Sequence, residues 1–385
     1  MNWIKLILLQ VLATFLLFEV CSFIGTKFEL FYVNETPKIY LRNHARDVEA
    51  RDVRDIYEIR TENMSWGAWR LPNQVAGHRS SCFDVEVSSN EVGARDASFK
   101  NNVESDVVLL GDSFAEGIGV EYEQTAQYLI ETKLGINLLN FGTAGNFGPL
   151  QELIIYKELA SEYLHQQVII FVLPANDFKD NERTYWNDSA QKRMRYRPYY
   201  ESQGDPVVPW YFPESKKSGQ RDSSNDLTKT QKAVNFFAHV EKALVDFTWT
   251  SNALRTLHRA LFRLDHTVNS YYTSATTSEQ EHMVAAYDGI VEAAAGRPVS
   301  FVIIPAQRDI TTLDREAKAT LPLQLWYQGL TDLAIKSGGV FIDLIDFVPE
   351  KSSLLFHSCD GHWSEAGNIW AATLVAEAIK KEALR

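Results

Sequence analysis

Three short segments, residues 107–110, 168–173 and 299–304, are apolar at almost every position, and each is followed by turn-forming residues. A strand with one wet face alternates apolar and polar side chains, because successive side chains point to opposite faces. A strand apolar on both faces must be covered on both, which indicates a parallel sheet with helices packed above and below. The intervening segments fit that arrangement. Helices are expected near 125–134, 149–163, 281–295, 322–337 and 365–383, with shorter strands at 136–140 and 340–344. Ahead of this α/β body, Cys82-Phe-Asp-Val-Glu-Val87 alternates, and Ser88-Ser-Asn-Glu-Val-Gly93 supplies turn residues, so a small β-hairpin is expected there.

Between about 180 and 280 the order lapses. A basic and aromatic stretch (193–200), a polar run (216–230) and a helical segment near 233–262 follow one another without a strand. A plain connection of that length is unusual, so this region is read as an inserted subdomain or lid. Residues 193–200 either grip a sugar or acidic polymer or form a solvated, partly packed face. The expected organisation is a segment 1–26, a stalk and lead-in over 27–104, and a body over 105–385 carrying the insertion.

At 385 residues and 45% hydrophobic content the chain can bury one large core, or a core and a smaller appendage. A net charge of −12 argues against nucleic acid as a partner, since binding phosphates needs a basic surface. Three cysteines give neither a disulfide scaffold nor metal-ligand spacing, so no metal or cofactor is expected.

The N-terminus differs in kind. Residues 6–24 carry a single charge, Glu19, and as a helix would extend about 28 Å, close to the ~30 Å of a bilayer's hydrocarbon core. An uncleaved signal anchor is the favoured reading, with the body outside the cytoplasm at the inner membrane. A cleaved signal peptide, with its site near Val20-Cys21-Ser22, is the rival and would leave a secreted or periplasmic protein.

The chemistry begins where the first apolar strand ends, in Gly111-Asp112-Ser113-Phe114. A buried strand delivers Ser113 to the sheet edge at which open α/β folds place their ligands. A serine hydroxyl is a weak nucleophile until a base takes its proton, and His362, in Asp360-Gly361-His362, is the candidate base. Asp360 can accept from the other imidazole nitrogen. Donors for a developing oxyanion are the main-chain N–H groups of Ser113 and Gly145 and the Asn176 side chain. Asp112 and Asp177 are expected to shape their turns, and His357 to be a surface histidine. The glycines at 142, 145 and 148 lack the spacing of a dinucleotide loop.

Four blocks in order, Gly111-Asp112-Ser113-Phe114, Asn140-Phe-Gly142-Thr-Ala-Gly145, Asn176-Asp177 and Asp360-Gly361-His362, resemble those of the SGNH (GDSL-type) hydrolase superfamily. The lead-in Asn90-Glu-Val-Gly93-Ala-Arg95-Asp96 resembles that of membrane-anchored bacterial members. The resemblance implies a flavodoxin-like fold with Ser113 as nucleophile, Ser113, Gly145 and Asn176 around the oxyanion, and His362 as base. Two positions depart from the family pattern. Ala175 stands where a glycine usually precedes the asparagine, and Cys359 stands three residues before the histidine, where the acid usually sits. Asp360 takes the acid's role instead. The implied activity is an extracytoplasmic serine esterase acting on O-acyl, chiefly O-acetyl, groups of carbohydrate through an acyl-enzyme. The alternatives are an O-acetyltransferase working with a membrane acyl-donor protein, and a catalytically silent carbohydrate-binding or assembly component.

With Cys21 in the apolar segment, Cys82 and Cys359 are the only pair in the body. In an oxidising compartment they either bond, pinning the loop of Asp360 and His362 to the lead-in, or are two unrelated small buried residues.

Overall fold

The computed structural model describes residues 3–28, 30, 60–80, 82–145, 147–188, 197–202, 205–206, 247–262, 270–313, 315–357 and 359–383. Helix α1 (Trp3–Lys27) opens the chain. The lead-in holds two antiparallel pairs, β1 (Arg60–Met64) with β2 (Gly67–Arg70), and β3 (Val75–Arg79) with β4 (Asp84–Ser88). The expected hairpin therefore exists, but the partner of the alternating strand precedes it. Residues 88–93 are not its turn: Asn90 Oδ1 accepts the main-chain N–H groups of Val92 and Ala94, folding that segment into a compact loop.

The body is a five-stranded parallel sheet of β5 (Val107–Leu110), β6 (Leu138–Asn140), β7 (Gln167–Val172), β10 (Val299–Ile303) and β11 (Phe341–Asp343), in the order β11-β10-β7-β5-β6. The lesser pair β8 (Tyr200–Ser202) and β9 (Asp205–Pro206) lies between, inside the region expected to lack strands. Counting only the central sheet, the spatial order is 2-1-3-4-5, the flavodoxin-like doubly wound arrangement, with its switch point between β5 and β7.

Both faces of the sheet are covered, as the apolar strands require. Along β7, Val168, Ile170 and Val172 face one way, with Val108, Leu110, Phe301 and Ile303. They pack on Leu153, Ile155 and Tyr156 of the helix Pro149–Glu158, on Met283, Tyr287 and Ile290 of Thr277–Ala293, and on Leu330 and Leu333 of Leu325–Ser337. The alternate residues Ile169 and Phe171 join Val107, Leu109, Val302 and Ile304 against the helices Ala126–Leu134 and Glu365–Ala383. The helix expected over 149–163 stops at Glu158 and continues as one 3-10 turn, Ala160–Glu162. The helix expected from 281 begins at Thr277, because Thr276 and Glu279 form a capping box: Glu279 accepts the Thr276 main-chain N–H at 2.7 Å and Thr276 Oγ1 accepts that of Glu279 at 3.3 Å. The helical segment expected over 233–262 is seen as Thr250–Phe262, its earlier part lying outside the described residues, as do most of the insertion, residues 193–196 and the stalk 31–59.

Candidate active site

The Ser113 turn is set by its own sequence. Strand β5 ends at Leu110, and Ser113 opens a one-turn helix, Ser113–Glu116, for which Asp112 is the cap. Asp112 Oδ1 accepts the Phe114 main-chain N–H at 2.9 Å, satisfying one of the orphan donors at that helix end. Its Oδ2 accepts from Asn176 Nδ2 at 3.0 Å. Burial pushes the Asp112 carboxyl up, against the pull of those two hydrogen bonds and of His362. Asp177 shapes the neighbouring turn, accepting the Leu173 main-chain N–H at 2.7 Å and the Tyr287 hydroxyl at 3.2 Å.

His362 arrives on the loop closed by the antiparallel bridge Phe356–Trp363. Its Nε2 lies 2.8 Å from Ser113 Oγ. Asp360 Oδ1 lies 3.0 Å from Nδ1 of the same ring and accepts the His362 main-chain N–H at 2.9 Å. The main-chain bond is the aligned one; the contact with Nδ1 is close but makes no directed hydrogen bond. Burial alone would raise the Asp360 carboxyl, but the side chain and main chain of His362 and the charge of His357 more than offset it, holding Asp360 below the ordinary carboxylate range.

The residues after the nucleophile and the base set the spacing between them. Phe114 meets Trp363 edge to face with ring centroids 4.9 Å apart, and lies 5.2 Å from the His362 ring. Trp363 is also edge-on to Phe171 of β7 at 6.0 Å. Each such aromatic pair adds roughly 0.5–1.5 kcal/mol beyond the area it buries.

Gly145 lies in the turn after β6, at φ +100°, where side chains are disfavoured. A Cβ there would sit 2.9 Å from Nη1 of Arg60, so the room is taken by the lead-in strand. Arg60 Nη2 donates to the Ala144 carbonyl at 2.7 Å, and Arg197 Nη2 to the Gly145 carbonyl at 3.2 Å. Gly142 lies against the nucleophile helix, where a Cβ would meet Ala115 Cβ at 2.6 Å. Among the described residues, no acceptor takes the main-chain N–H of Ser113 or Gly145. The structure thus brings Ser113, His362 and Asp360 together and sets Ser113, Gly145 and Asn176 after the carboxyl ends of β5, β6 and β7.

Several supports of this site have roles that no sequence pattern showed, although Arg95 and Asp96 belong to the lead-in motif. Glu116 is fully buried on the nucleophile's own helix; it pairs with Arg70 of β2, whose Nε donates at 2.5 Å, and its other oxygen accepts the Ala144 main-chain N–H. One carboxylate thereby joins the nucleophile helix, the Gly145 turn and the lead-in. Arg95 donates to the carbonyls of Glu116, Gly117 and Val120. Asp96 accepts from the Asn140 main chain at 2.8 Å, Gln127 at 2.7 Å and Tyr122 at 2.9 Å. The lead-in loop therefore clamps the first two blocks from beneath. Deeper still, Glu152 is fully buried, and burial with the like charges of Asp112 and Asp180 pushes it well above the ordinary range.

Cys82 and Cys359 are bonded, with Cα atoms 5.8 Å apart across a sequence separation of 277. They pack with Phe83, Val85 and Ile118 in a small cluster beneath the catalytic loop. His357 is half-buried rather than a surface residue: its ring lies 5.1 Å from Phe83 and against Gly119, and burial pushes its imidazole down. Among the described residues, no three His, Cys, Asp or Glu side chains are grouped to hold a metal.

No family model and no curated protein matches the chain. Solved structures align with part of the chain at low similarity. A lipase/acylhydrolase from Enterococcus faecalis is 11% identical over 72% of this chain and 96% of its own, with a TM-score of 0.38. A psychrotrophic esterase from a Pseudoalteromonas species is 10% identical over 73% of this chain and 100% of its own, at 0.36. A member of the lipolytic G-D-S-L family from Veillonella parvula is 10% identical over 72% and 99%, at 0.34. At these values the likeness is one of outline, and the roles of individual residues rest on this chain's own geometry.

Proposed function

We propose that this protein is a serine esterase, in which Ser113 attacks an ester carbonyl and is acylated, and water then releases the acid. The observation that carries this reading is the 2.8 Å contact between Ser113 Oγ and His362 Nε2, together with the Ser113 and Gly145 main-chain N–H groups, which no acceptor takes among the described residues. His362 takes the Ser113 proton as Oγ bonds to the carbonyl carbon. The oxyanion then receives hydrogen bonds from the Ser113 and Gly145 amides and from the second N–H of Asn176, whose other N–H is held by Asp112. His362 returns the proton to the leaving alcohol, and the same steps with water regenerate the serine. Asp360 stabilises the imidazolium by its charge and holds the loop through the His362 main chain.

The substrate in this reading is an O-acyl, chiefly O-acetyl, carbohydrate outside the cytoplasm. Helix α1 is long and apolar enough to cross a membrane and serves as the anchor. Retention rather than cleavage is favoured by Glu19, which accepts the main-chain N–H groups of Trp249 at 2.7 Å and Thr250 at 2.9 Å. Cutting after residue 22 would remove that acceptor. The decisive experiment is incubation with an acetylated oligosaccharide and a competing acceptor sugar, alongside labelling by a fluorophosphonate. Free acetate with labelling at Ser113 supports the esterase, acetate moved to the acceptor indicates a transferase, and absence of labelling indicates a silent binding component.

A further inference from the structure

Helix α1 does not stand alone. Glu19, Ser22, Gly25 and Thr26 line one side of it; Ser22, Gly25 and Thr26 are buried and Glu19 half-buried, whereas most of its other side chains are exposed. The segment that covers this side is remote in sequence. Trp249, Thr250, Ser251 and Asn252, at the start of the helix Thr250–Phe262, are all buried. Glu19 caps that helix: its carboxylate takes the Trp249 and Thr250 main-chain N–H groups and the Thr250 hydroxyl, the last at 2.7 Å. Asn252 Nδ2 donates to Thr26 Oγ1 at 3.0 Å, and the Trp249 ring meets Phe23 edge to face at 5.1 Å. Glu19 and Thr26 of α1 thus find polar partners inside a two-helix seam of small and polar residues, the kind of packing that serves helices in lipid.

The position of this seam along α1 decides where the second helix lies. Glu19 is eight residues before Lys27, about 12 Å at 1.5 Å per residue. A leaflet's share of the hydrocarbon core is about 15 Å. With Lys5–Lys27 spanning, the contacts from Glu19 to Thr26 fall inside the outer leaflet, and they draw residues 249–252 in with them. The uncovered side chains suit that place: Leu254 and Leu257 of this helix are 40% and 51% exposed, and Phe247, just before it, is 55% exposed.

We infer that residues 247–262 form a second membrane element, a helix docked by its start on the Glu19–Thr26 side of α1 with Phe247, Leu254 and Leu257 in the acyl chains of the outer leaflet. The occupant of this apolar face is lipid. Lipid already covers α1 in the anchor reading, on which this inference rests, and the exposed face is continuous with that surface. The insertion then returns to the bilayer, and the body is held to the membrane at two points.

The test uses the full chain in lipid nanodiscs, with Cys21→Ser removing the free thiol and single cysteines labelled with an environment-sensitive fluorophore. Leu12→Cys reports the span, Leu254→Cys and Leu257→Cys the second element, and Ile335→Cys, 72% exposed on the body, the aqueous reference. Expected is loss of most of the emission at 254 and 257 with lipids spin-labelled near the headgroup, at 12 with lipids labelled near the chain end, and at 335 with neither. Quenching at 12 with none at 254 and 257 overturns the inference and leaves the anchor standing. A blue-shifted but unquenched signal at 254 and 257 also overturns it, because the face is then covered by protein. No quenching at 12 removes the anchor and the inference together. Hydrolysis of a nitrophenyl ester by the same samples reads the catalytic proposal independently of each of these outcomes.

Discussion

Ser113 and His362 meet at 2.8 Å, but the supports that deliver them have little in common. On the nucleophile side every support is a buried polar contact: Asp112 on Phe114 and Asn176, Glu116 on Arg70 and Ala144, Arg95 on three carbonyls, Asp96 on Asn140. Such networks are rigid when every member is paired and expensive when one is lost. On the base side the side chains of Asp360 and His362 are about a quarter exposed, and the loop is held by one bridge, one disulfide, the edge of Trp363 and the bond of Asp360 to the His362 main chain. The half that defines the attacking atom and the oxyanion is fixed in three dimensions. The half that moves the proton is tethered at its ends.

The largest test of this contrast is Ser113→Ala. Ester hydrolysis should fall on the order of 10⁴-fold or more, with an almost unchanged melting temperature, since the covalent route is lost but no network member is. Turnover close to wild type would end the role given to Ser113. Arg70→Ala attacks the nucleophile side where it is most committed. It leaves Glu116 buried without its cation and should cost about 3–5 kcal/mol in urea unfolding. A loss below about 1 kcal/mol would show that the network adapts as a loop does.

Cys82→Ser is the matching cut on the base side. It should cost about 2–4 kcal/mol of stability by freeing the unfolded chain, while fluorophosphonate labelling of Ser113 persists at a reduced rate. Labelling that vanishes in a still-folded variant would show that the disulfide positions the base outright. Asp360→Asn should be milder. With no directed hydrogen bond to Nδ1, kcat should fall roughly 10- to 100-fold at constant KM, against about 10⁴ where an aligned acid is lost. A loss of the larger size would mean that the pair aligns when substrate binds.

The smallest effect is expected at Glu152, beneath the nucleophile side. Its carboxyl is held well above the ordinary range in the folded state, by burial first and then by Asp112 and Asp180. A group raised on folding supports the fold below its unfolded pKa and loses that support as pH rises through the folded value. Glu152→Gln should therefore melt higher than wild type at about pH 8 and together with it at about pH 4. Equal melting at both would show that the charge is relieved by movement.

The sheet was legible because its cause is local. Continuous apolar runs demand cover on both faces, and residues 107–110, 168–173 and 299–304 announced it. Three of the four blocks were legible because Ser113, Gly145 and Asn176 sit a few positions beyond a strand end, and the fourth because Asp360-Gly361-His362 is a compact acid–base motif, well past the end of β11 at Asp343. Glu116 was not. An acid one turn beyond a serine reads as solvated helix surface, and its partner Arg70 lies 46 residues away with no periodicity to connect them. Asp96 and Arg95 were seen as part of a lead-in, but their work consists of long-range hydrogen bonds that no spacing encodes. The partner strand of the hairpin was misplaced because Val75-Ala-Gly-His-Arg79 alternates weakly and carries a glycine. Glu19 read as a blemish in an apolar helix, and only the structure shows the remote helix start that it caps.

The disulfide also sets a timetable. Its two halves lie in the lead-in, at position 82, and near the far end of the body, at position 359, so the tie cannot be made until nearly the whole body has been synthesised. Bond formation further requires an oxidising compartment. On the proposed reading, the bond that steadies the loop of Asp360 and His362 is one that only a nearly complete chain in an oxidising compartment can form.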